Sequence, residues 1–371
     1  MKNTKRLWTI CLLAAVMLLT FALAACNDTT DPVKPPDDKN KPSWTLNSPD
    51  GKIALDVYFV NGQISYTVTT DDVTVVERSN LGMATNQCEF VDLSFVESQT
   101  DSKTISYTNV SGKVKQVTTS YKQNTLTFAE GDYLLDVVFR AYNDGYAFRY
   151  NIRRIDGASG TMTVNSENTT FAFPSDGTMR SQEYVTNTAK RDCFSYETAY
   201  QGRHIGSLNS AQYIAMPLLY QVPGTDIYSL VSESGLVGSG YYGSFLKVTD
   251  GGEGSGVMQT VHTPAGAKVD DNKVEYPFTS PWRVGIVGDM ATVNSSELVE
   301  KVYDDVEYWK PDNYDSLTDE EKATYNYDWV ESGVCGWSWL IYNGKRDQND
   351  FNLHRDYLKL AKEMGWKYVL L

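Results

Sequence analysis

IALDVYFVNGQISYTV, residues 53–68, holds two alternating runs joined by an Asn-Gly pair. Ile53, Leu55, Val57 and Phe59 recur at every second position, and Ile64, Tyr66 and Val68 resume the alternation beyond Asn61-Gly62. A period of two puts the apolar side chains on one face of a pleated strand. Asn-Gly accepts the left-handed backbone of the tight turn whose twist matches the flanking strands. The stretch predicts a β-hairpin with one buried face.

Working outward, the pattern persists from Trp44 to about Gly288. Val73–Val76, Thr104–Val110, Lys113–Tyr121, Thr125–Phe128 and Tyr133–Arg140 read as strands, and Asn143-Asp144-Gly145 turns the chain into Tyr146–Ile152. Aromatic residues suit a half-buried sheet, and the chain has 25 tyrosines. Many short strands and no amphipathic helix predict a large β-sandwich. The fold class is mainly β: a sandwich domain over residues 44–305 and a linker over 306–330, where Thr318-Asp319-Glu320-Glu321 reads as a capping box.

Beyond the linker, residues 331–371 read differently. Val334–Ile341 is an apolar-aromatic run, as expected of a strand buried on both faces. Leu353, Tyr357, Leu360, Ala361 and Met364 then recur at helical spacing, Gly365 stands at a C-cap position, and Trp366–Leu371 is a second apolar run. One βαβ unit with parallel strands follows. Such a pair needs further strands and helices, so these residues are expected to begin a (β/α)8 barrel that the chain leaves truncated.

At the other end, Lys2, Lys5 and Arg6 precede an uncharged run from Leu7 to Ala25 that closes on Leu23-Ala24-Ala25-Cys26. Basic head, apolar run and small residues describe an export signal over residues 1–25, and a cysteine at the cut matches a bacterial lipobox. Cys26 is the expected lipidation site, which makes the protein exported and membrane-anchored, at the periplasm or cell surface. Residues 26–43, rich in proline, aspartate and lysine, read as a flexible tether.

The net charge is −14, and it becomes more negative once the three basic residues leave with the leader. An acidic surface argues against a nucleic-acid partner. After Cys11 and Cys26, the remaining Cys88, Cys193 and Cys335 are odd in number and widely spaced, so they imply neither a disulfide framework nor a zinc site. Only His204, His262 and His354 are available, and none lies in a nucleophile-elbow context, which leaves a Ser-His-Asp centre unsupported. Gly251–Gly256 lacks the lysine and following helix of a phosphate loop. Carboxylates are plentiful, and composition alone selects no acid/base pair. At the end of the first barrel strand, Trp337 and Trp339 are candidate substrate-binding residues. Two readings stand: stacking on a sugar ring, or filling a barrel interior.

Several short segments together resemble glycoside hydrolase family 97. In family order they are Ser48-Pro49-Asp50-Gly51-Lys52, Ser79-Asn80-Leu81-Gly82, Tyr142-Asn143-Asp144-Gly145-Tyr146-Ala147-Phe148-Arg149-Tyr150 and Ser195-Tyr196-Glu197. Met216-Pro217-Leu218, Thr279-Ser280-Pro281-Trp282-Arg283, Gly336-Trp337-Ser338-Trp339 and Gly365-Trp366-Lys367-Tyr368-Val369-Leu370 complete the series. The resemblance implies an amino-terminal β-supersandwich joined to a (β/α)8 barrel. It further implies exo-acting, calcium-dependent hydrolysis of α-glucosides or α-galactosides, with an oligosaccharide as substrate. It matches Glu197 to a calcium ligand contributed by the sandwich, and a carboxylate suits a hard cation. The family's catalytic carboxylates lie on later barrel strands, so no catalytic residue is assigned here. Ser332 stands where the family usually has a proline, and Met179–Asp192 does not align. The competing expectation is a non-enzymatic, lipid-anchored carbohydrate-binding β-sandwich.

Overall fold

The computed structural model describes residues 39–108, 113–183, 186–187, 192–193, 199–236, 240–241, 243–249, 252–262, 272–303, 313–326, 329, 331–338 and 350–370. The chain divides into two compact units, Met1–Ile105 with Thr118–Asp304, and Ser106–Val117 with Asp305–Leu371.

The first unit is built on two antiparallel sheets, of eight and ten strands among the described residues. The opening hairpin forms as its alternation requires: Ile53–Val60 pairs with Gln63–Thr70 in unbroken register from Ile53↔Thr70 to Val60↔Gln63. Asn61 and Gly62 both take left-handed backbone, at φ 51° and 74°, the signature of a primed two-residue turn. Ile53, Leu55, Val57, Phe59, Ile64, Tyr66 and Val68 are all buried. These strands, with Trp44–Asn47 and Val73–Leu81, make one side of the eight-stranded sheet.

In the ten-stranded sheet, Thr125–Phe128 and the run before it form one long strand, Gln116–Glu130, paired with Tyr133–Tyr142. A loop break read into the sequence between Tyr121 and Thr125 is absent, because Lys122, Gln123 and Asn124 keep the ladder opposite Ala141, Arg140 and Phe139. Strand Tyr133–Tyr142 continues through Asn143-Asp144 into Gly145–Arg154, and Trp282–Gly288 pairs beside it.

The main core joins the inward faces of both sheets. Aromatic rings run through it: Trp44 meets Phe128 edge-on at 6.1 Å, Tyr66 packs on Phe148 at 5.2 Å, and Phe173 on Tyr220 at 4.5 Å. Buried aromatics supply large apolar area and tilted-ring attraction together. A second core covers the opposite face of the ten-stranded sheet. There Trp282, Val284 and Ile286 pack beneath two short helices, Met290–Ser295 and Leu298–Lys301, whose Val293 and Leu298 point down. Asp289 caps the first of these by accepting from Thr292 N–H at 2.7 Å. Central strands such as Tyr133–Tyr142 and Trp282–Gly288 are therefore buried almost throughout.

In the second unit, Asp319–Ala323 begins with the expected capping box between Thr318 and Glu321. Cys335–Trp337 pairs in parallel with Tyr368–Leu370, and Phe351–Met364 is the helix between them. Gly365 at φ 67° ends that helix, as its position in the sequence requires. Two expectations are corrected. The first strand is not buried on both faces: Val334, Cys335 and Trp337 are exposed, and only Gly336 between them is buried. Leu353, Tyr357 and Ala361 form the buried stripe of the helix, while Leu360 and Met364 are exposed. The helix packs on the single strand face offered by Gly336, whose added Cβ would meet Trp366 and Tyr357.

Candidate functional site

Of the positions singled out from sequence, Cys26, Glu197 and Trp339 lie outside the described residues. Trp337 ends the strand Cys335–Trp337 opposite Leu370, and its side chain is 37% exposed. Gly336 turns toward the helix, so the alternation of the strand turns Trp337 to the other face.

Two described strands lie on either side of Glu197 in the sequence. Thr178–Ser181 and Gln201–His204 pair at the edge of the ten-stranded sheet, from Thr178↔His204 to Ser181↔Gln201. Just beyond Ser181, Glu183 accepts from Gln212 Nε2 at 2.9 Å and lies 3.4 Å from Arg203. Ala215 N–H donates to the Gln182 carbonyl at 2.9 Å. Calcium needs six to eight oxygens, and among the described residues no three His, Cys, Asp or Glu side chains come together to hold a metal.

The first unit also holds a charge cluster built on a buried Arg283–Glu167 pair. Arg283, in strand Trp282–Gly288, donates Nε to Glu167 Oε1 at 2.8 Å, Nη2 to Glu167 Oε2 at 2.5 Å and Nη1 to Glu233 Oε2 at 2.6 Å. Tyr241 Oη donates to Glu167 Oε2 at 3.1 Å and lies 2.7 Å from His262 Nε2. Ser244 Oγ donates to Glu233 at 2.8 Å. Burial works to raise the Glu167 pKa, but the charge and hydrogen bonds of Arg283 prevail and hold it below the usual carboxylate range. Burial lowers His262 and raises Tyr241. With Glu167 and Arg283 side chains 0% and 1% exposed, a substrate cannot reach that pair, which joins Trp282–Gly288 of the ten-stranded sheet to the Gly160–Glu167 strand. No sequence signal marks Glu167 or Glu233, because carboxylates are everywhere in this chain.

Among the described residues the rings of His204 and His262 hydrogen-bond no serine or cysteine. His204 Nδ1 contacts the Asp176 carbonyl at 2.9 Å on the surface, and Ser244, near the buried cluster, gives its hydroxyl to Glu233 rather than to His262.

Three of the eight short segments quoted for the family resemblance interlock through Tyr150 and Trp282. Tyr150 Oη accepts from Gly82 N–H at 3.1 Å and sits 2.6 Å from Thr169 Oγ1. Tyr150 N–H donates to Ser280 Oγ at 3.0 Å. Arg140 and Arg149 lie 4.5 Å and 4.3 Å from the Trp282 ring, cation–π contacts inside the second core. Met216-Pro217 is a cis peptide.

Residues 46–304 match the model of the glycosyl-hydrolase 97 amino-terminal domain. The chain belongs to glycoside hydrolase family 97. A probable retaining alpha-galactosidase of Streptomyces bingchenggensis (strain BCW-1) is 25% identical over 381 residues, covering 100% of this chain and 51% of that protein. A retaining alpha-galactosidase of Bacteroides thetaiotaomicron is 23% identical, covering 88% of this chain and 49% of that protein. The chain thus spans about half the length of the curated family 97 relatives it matches. Among solved structures, a beta-arabinopyranosidase superposes with a TM-score of 0.72 at 25% identity, covering 88% of this chain and 50% of that one. A family 97 enzyme from Pseudoalteromonas sp. strain K8, in complex with panose, has a TM-score of 0.68 at 20% identity and covers 88% and 46%. That last likeness shows the shared fold.

Proposed function

We propose that this chain is the amino-terminal part of an exported, lipid-anchored family 97 glycosidase that releases terminal sugars from α-galactosides or α-glucosides. The match of residues 46–304 to the family's amino-terminal model carries this reading, and the retaining alpha-galactosidases among its relatives support the substrate class. The sandwich is the supporting domain, and residues 331–371 are the start of a (β/α)8 barrel whose later strands hold the reacting carboxylates. One such acid must protonate the leaving oxygen, and the separation of the second sets inversion or retention. Glu197 is proposed as the sandwich's ligand to a calcium ion completed by barrel residues, and Trp337 and Trp339 as aromatic contacts for the sugar. The domain scheme is that given by the sequence: leader 1–25, lipidated Cys26 and tether to 43, sandwich 44–305, linker 306–330, barrel from 331.

The test compares this 371-residue chain with the product of its gene read beyond Leu371, on p-nitrophenyl α-galactoside and α-glucoside with and without chelator. Hydrolysis by the longer product alone, lost on chelation, is the expected result. Turnover by the 371-residue chain itself would overturn the assignment of chemistry to later barrel strands.

A further inference from the structure

A cleft of about 320 Å³ opens on the eight-stranded sheet, and none of its ten lining residues is charged. That neutrality is a departure for a chain in which charged residues make up 22%. Its polar lining is four amides, Gln63, Asn80, Asn168 and Gln259, with the hydroxyls of Thr170 and Thr249. Val91, which is exposed, supplies apolar surface.

The sheet's pleat explains the arrangement. Leu81, Phe171 and Met258 point into the core, so their neighbours Asn80, Thr170 and Gln259 are turned to the opposite face. Thr170 pairs directly with Gln259 across the strands, and Asn80 N–H donates to Thr170 Oγ1 at 2.7 Å. That bond fixes the threonine and leaves its O–H to donate. Gln259 Nε2 donates to the Glu167 carbonyl at 2.9 Å, which holds its amide and leaves Oε1 as an acceptor. Ser166 Oγ donates to Asn168 Oδ1 at 3.1 Å, leaving the amide N–H groups of Asn168. The side chains of Gln63 and Asn80 hydrogen-bond to no other described residue.

The cleft's wall is held under backbone strain. Phe90 sits at φ 51°, a conformation that a bulky side chain seldom adopts and that concentrates at binding sites. The loop is fixed on the opening hairpin by Leu93 N–H donating to the Gly62 carbonyl at 3.0 Å, and on the Gln116–Glu130 strand by Asp92 N–H donating to Glu130 at 2.7 Å.

We infer that this cleft is a binding site for a neutral pyranoside. Gln63 and Asn80 each present a donor beside an acceptor, which matches a pair of adjacent sugar hydroxyls, while Gln259 adds an acceptor and Asn168 a donor. The absence of charge favours a neutral ligand over a uronic acid or a phosphate. The volume lies at the low end of the roughly 300–1,000 Å³ of small-molecule pockets, so one or two rings fit rather than a polymer. The site needs only the sandwich, and it stands whether or not the catalytic reading holds.

The probes are methyl α-D-galactopyranoside, methyl α-D-glucopyranoside and, as a charged control, D-glucuronate, titrated into the full chain and followed by saturation-transfer NMR. At least one methyl glycoside is expected to bind saturably, with affinity in roughly the millimolar range, and glucuronate more weakly. Asn80→Ala removes an amide that bonds to no described residue and should weaken binding about tenfold. Gln63→Glu, at an exposed position, puts an anion in the cleft without touching the core. It should weaken binding similarly while the thermal midpoint stays put. Absence of saturable binding at about 50 mM, unchanged affinity in both variants, or equal binding of glucuronate would each overturn the inference.

Discussion

Arg283 holds Glu167 through two parallel contacts, 2.8 Å and 2.5 Å long, with both side chains fully enclosed between the sheets. Burial works against both charges, yet the guanidinium stays protonated because Glu167 and Glu233 together more than restore what desolvation removes. The pair ties Trp282–Gly288 in one sheet to the Gly160–Glu167 strand of the smaller three-stranded sheet.

Glu167→Gln should therefore be among the most damaging single changes in the sandwich. It leaves Arg283 charged, buried and short of one anion, a situation that costs roughly 3–5 kcal/mol. Urea unfolding of the purified chain measures it. A loss below about 1 kcal/mol would mean that water reaches the cluster.

Acid should weaken the fold in two steps of the same sign. His262 is kept neutral by burial beside Tyr241, Glu167 and Arg283, so its folded pKa lies below its ordinary value. The unfolded chain then takes up a proton first as pH drops below about 6.5, and stability declines from there. Glu167 is also depressed: its contribution is complete above the ordinary carboxylate range and disappears as pH falls through the lower folded value. Thermal midpoints should fall steadily from neutral pH downward. His262→Gln should flatten the first part of that decline and leave the second; an unaltered profile would rule out the histidine.

Gly145 turns the chain in the Asn-Asp-Gly corner at φ 156°, where an added Cβ would run into the Gly285 carbonyl and the Leu298 side chain. Gly145→Ala should cost more than about 2 kcal/mol. Gly131→Ala makes the comparison: it too has a left-handed backbone, at φ 57°, but nothing lies within 4 Å of its Cβ, so only the backbone strain of about 1 kcal/mol remains.

The thiols should label in order. Cys335 is exposed, whereas burial pushes the Cys88 thiol up to about 11 from an ordinary 9.0. Two pKa units leave Cys88 about a hundredfold poorer in thiolate. Native-state iodoacetamide followed by peptide mass spectrometry should find Cys335 modified well before Cys88.

Cys26→Ala tests the proposed anchor directly. The unsubstituted protein should partition with membranes and carry diacylglycerol on Cys26. The variant should not, and a membrane fraction insensitive to the change would remove the lipid from the scheme.

The strands with one wet face were legible because burial and exposure alternate along them, as in Ile53–Val68. The central strands were legible only as apolar runs. The sequence does not say that Trp282 faces one core and Arg283 another, since both are buried and both lie in one short motif. The long Gln116–Glu130 strand was split in the reading because polar Lys122, Gln123 and Asn124 imitate a turn, although register continues through them. The helix of the second unit is legible except for its first two residues, Phe351 and Asn352, but two of its five periodic apolar positions are exposed, because Gly336 offers it only a narrow strip. Tertiary partners far apart in sequence, such as Glu167 with Arg283, leave no periodic trace. The neutral cleft was likewise invisible: its amides come from separate strands and loops and meet only across the folded sheet.

The two short helices after Gly288 have a practical meaning for anyone dividing this polypeptide. They roof Trp282, Val284 and Ile286, so a boundary drawn at the last strand would strip an oily surface bare and invite clumping. A soluble piece should run through Tyr303, and protease resistance of the segment between Gly288 and Leu298 should rise and fall with the melting of the whole double-layered body.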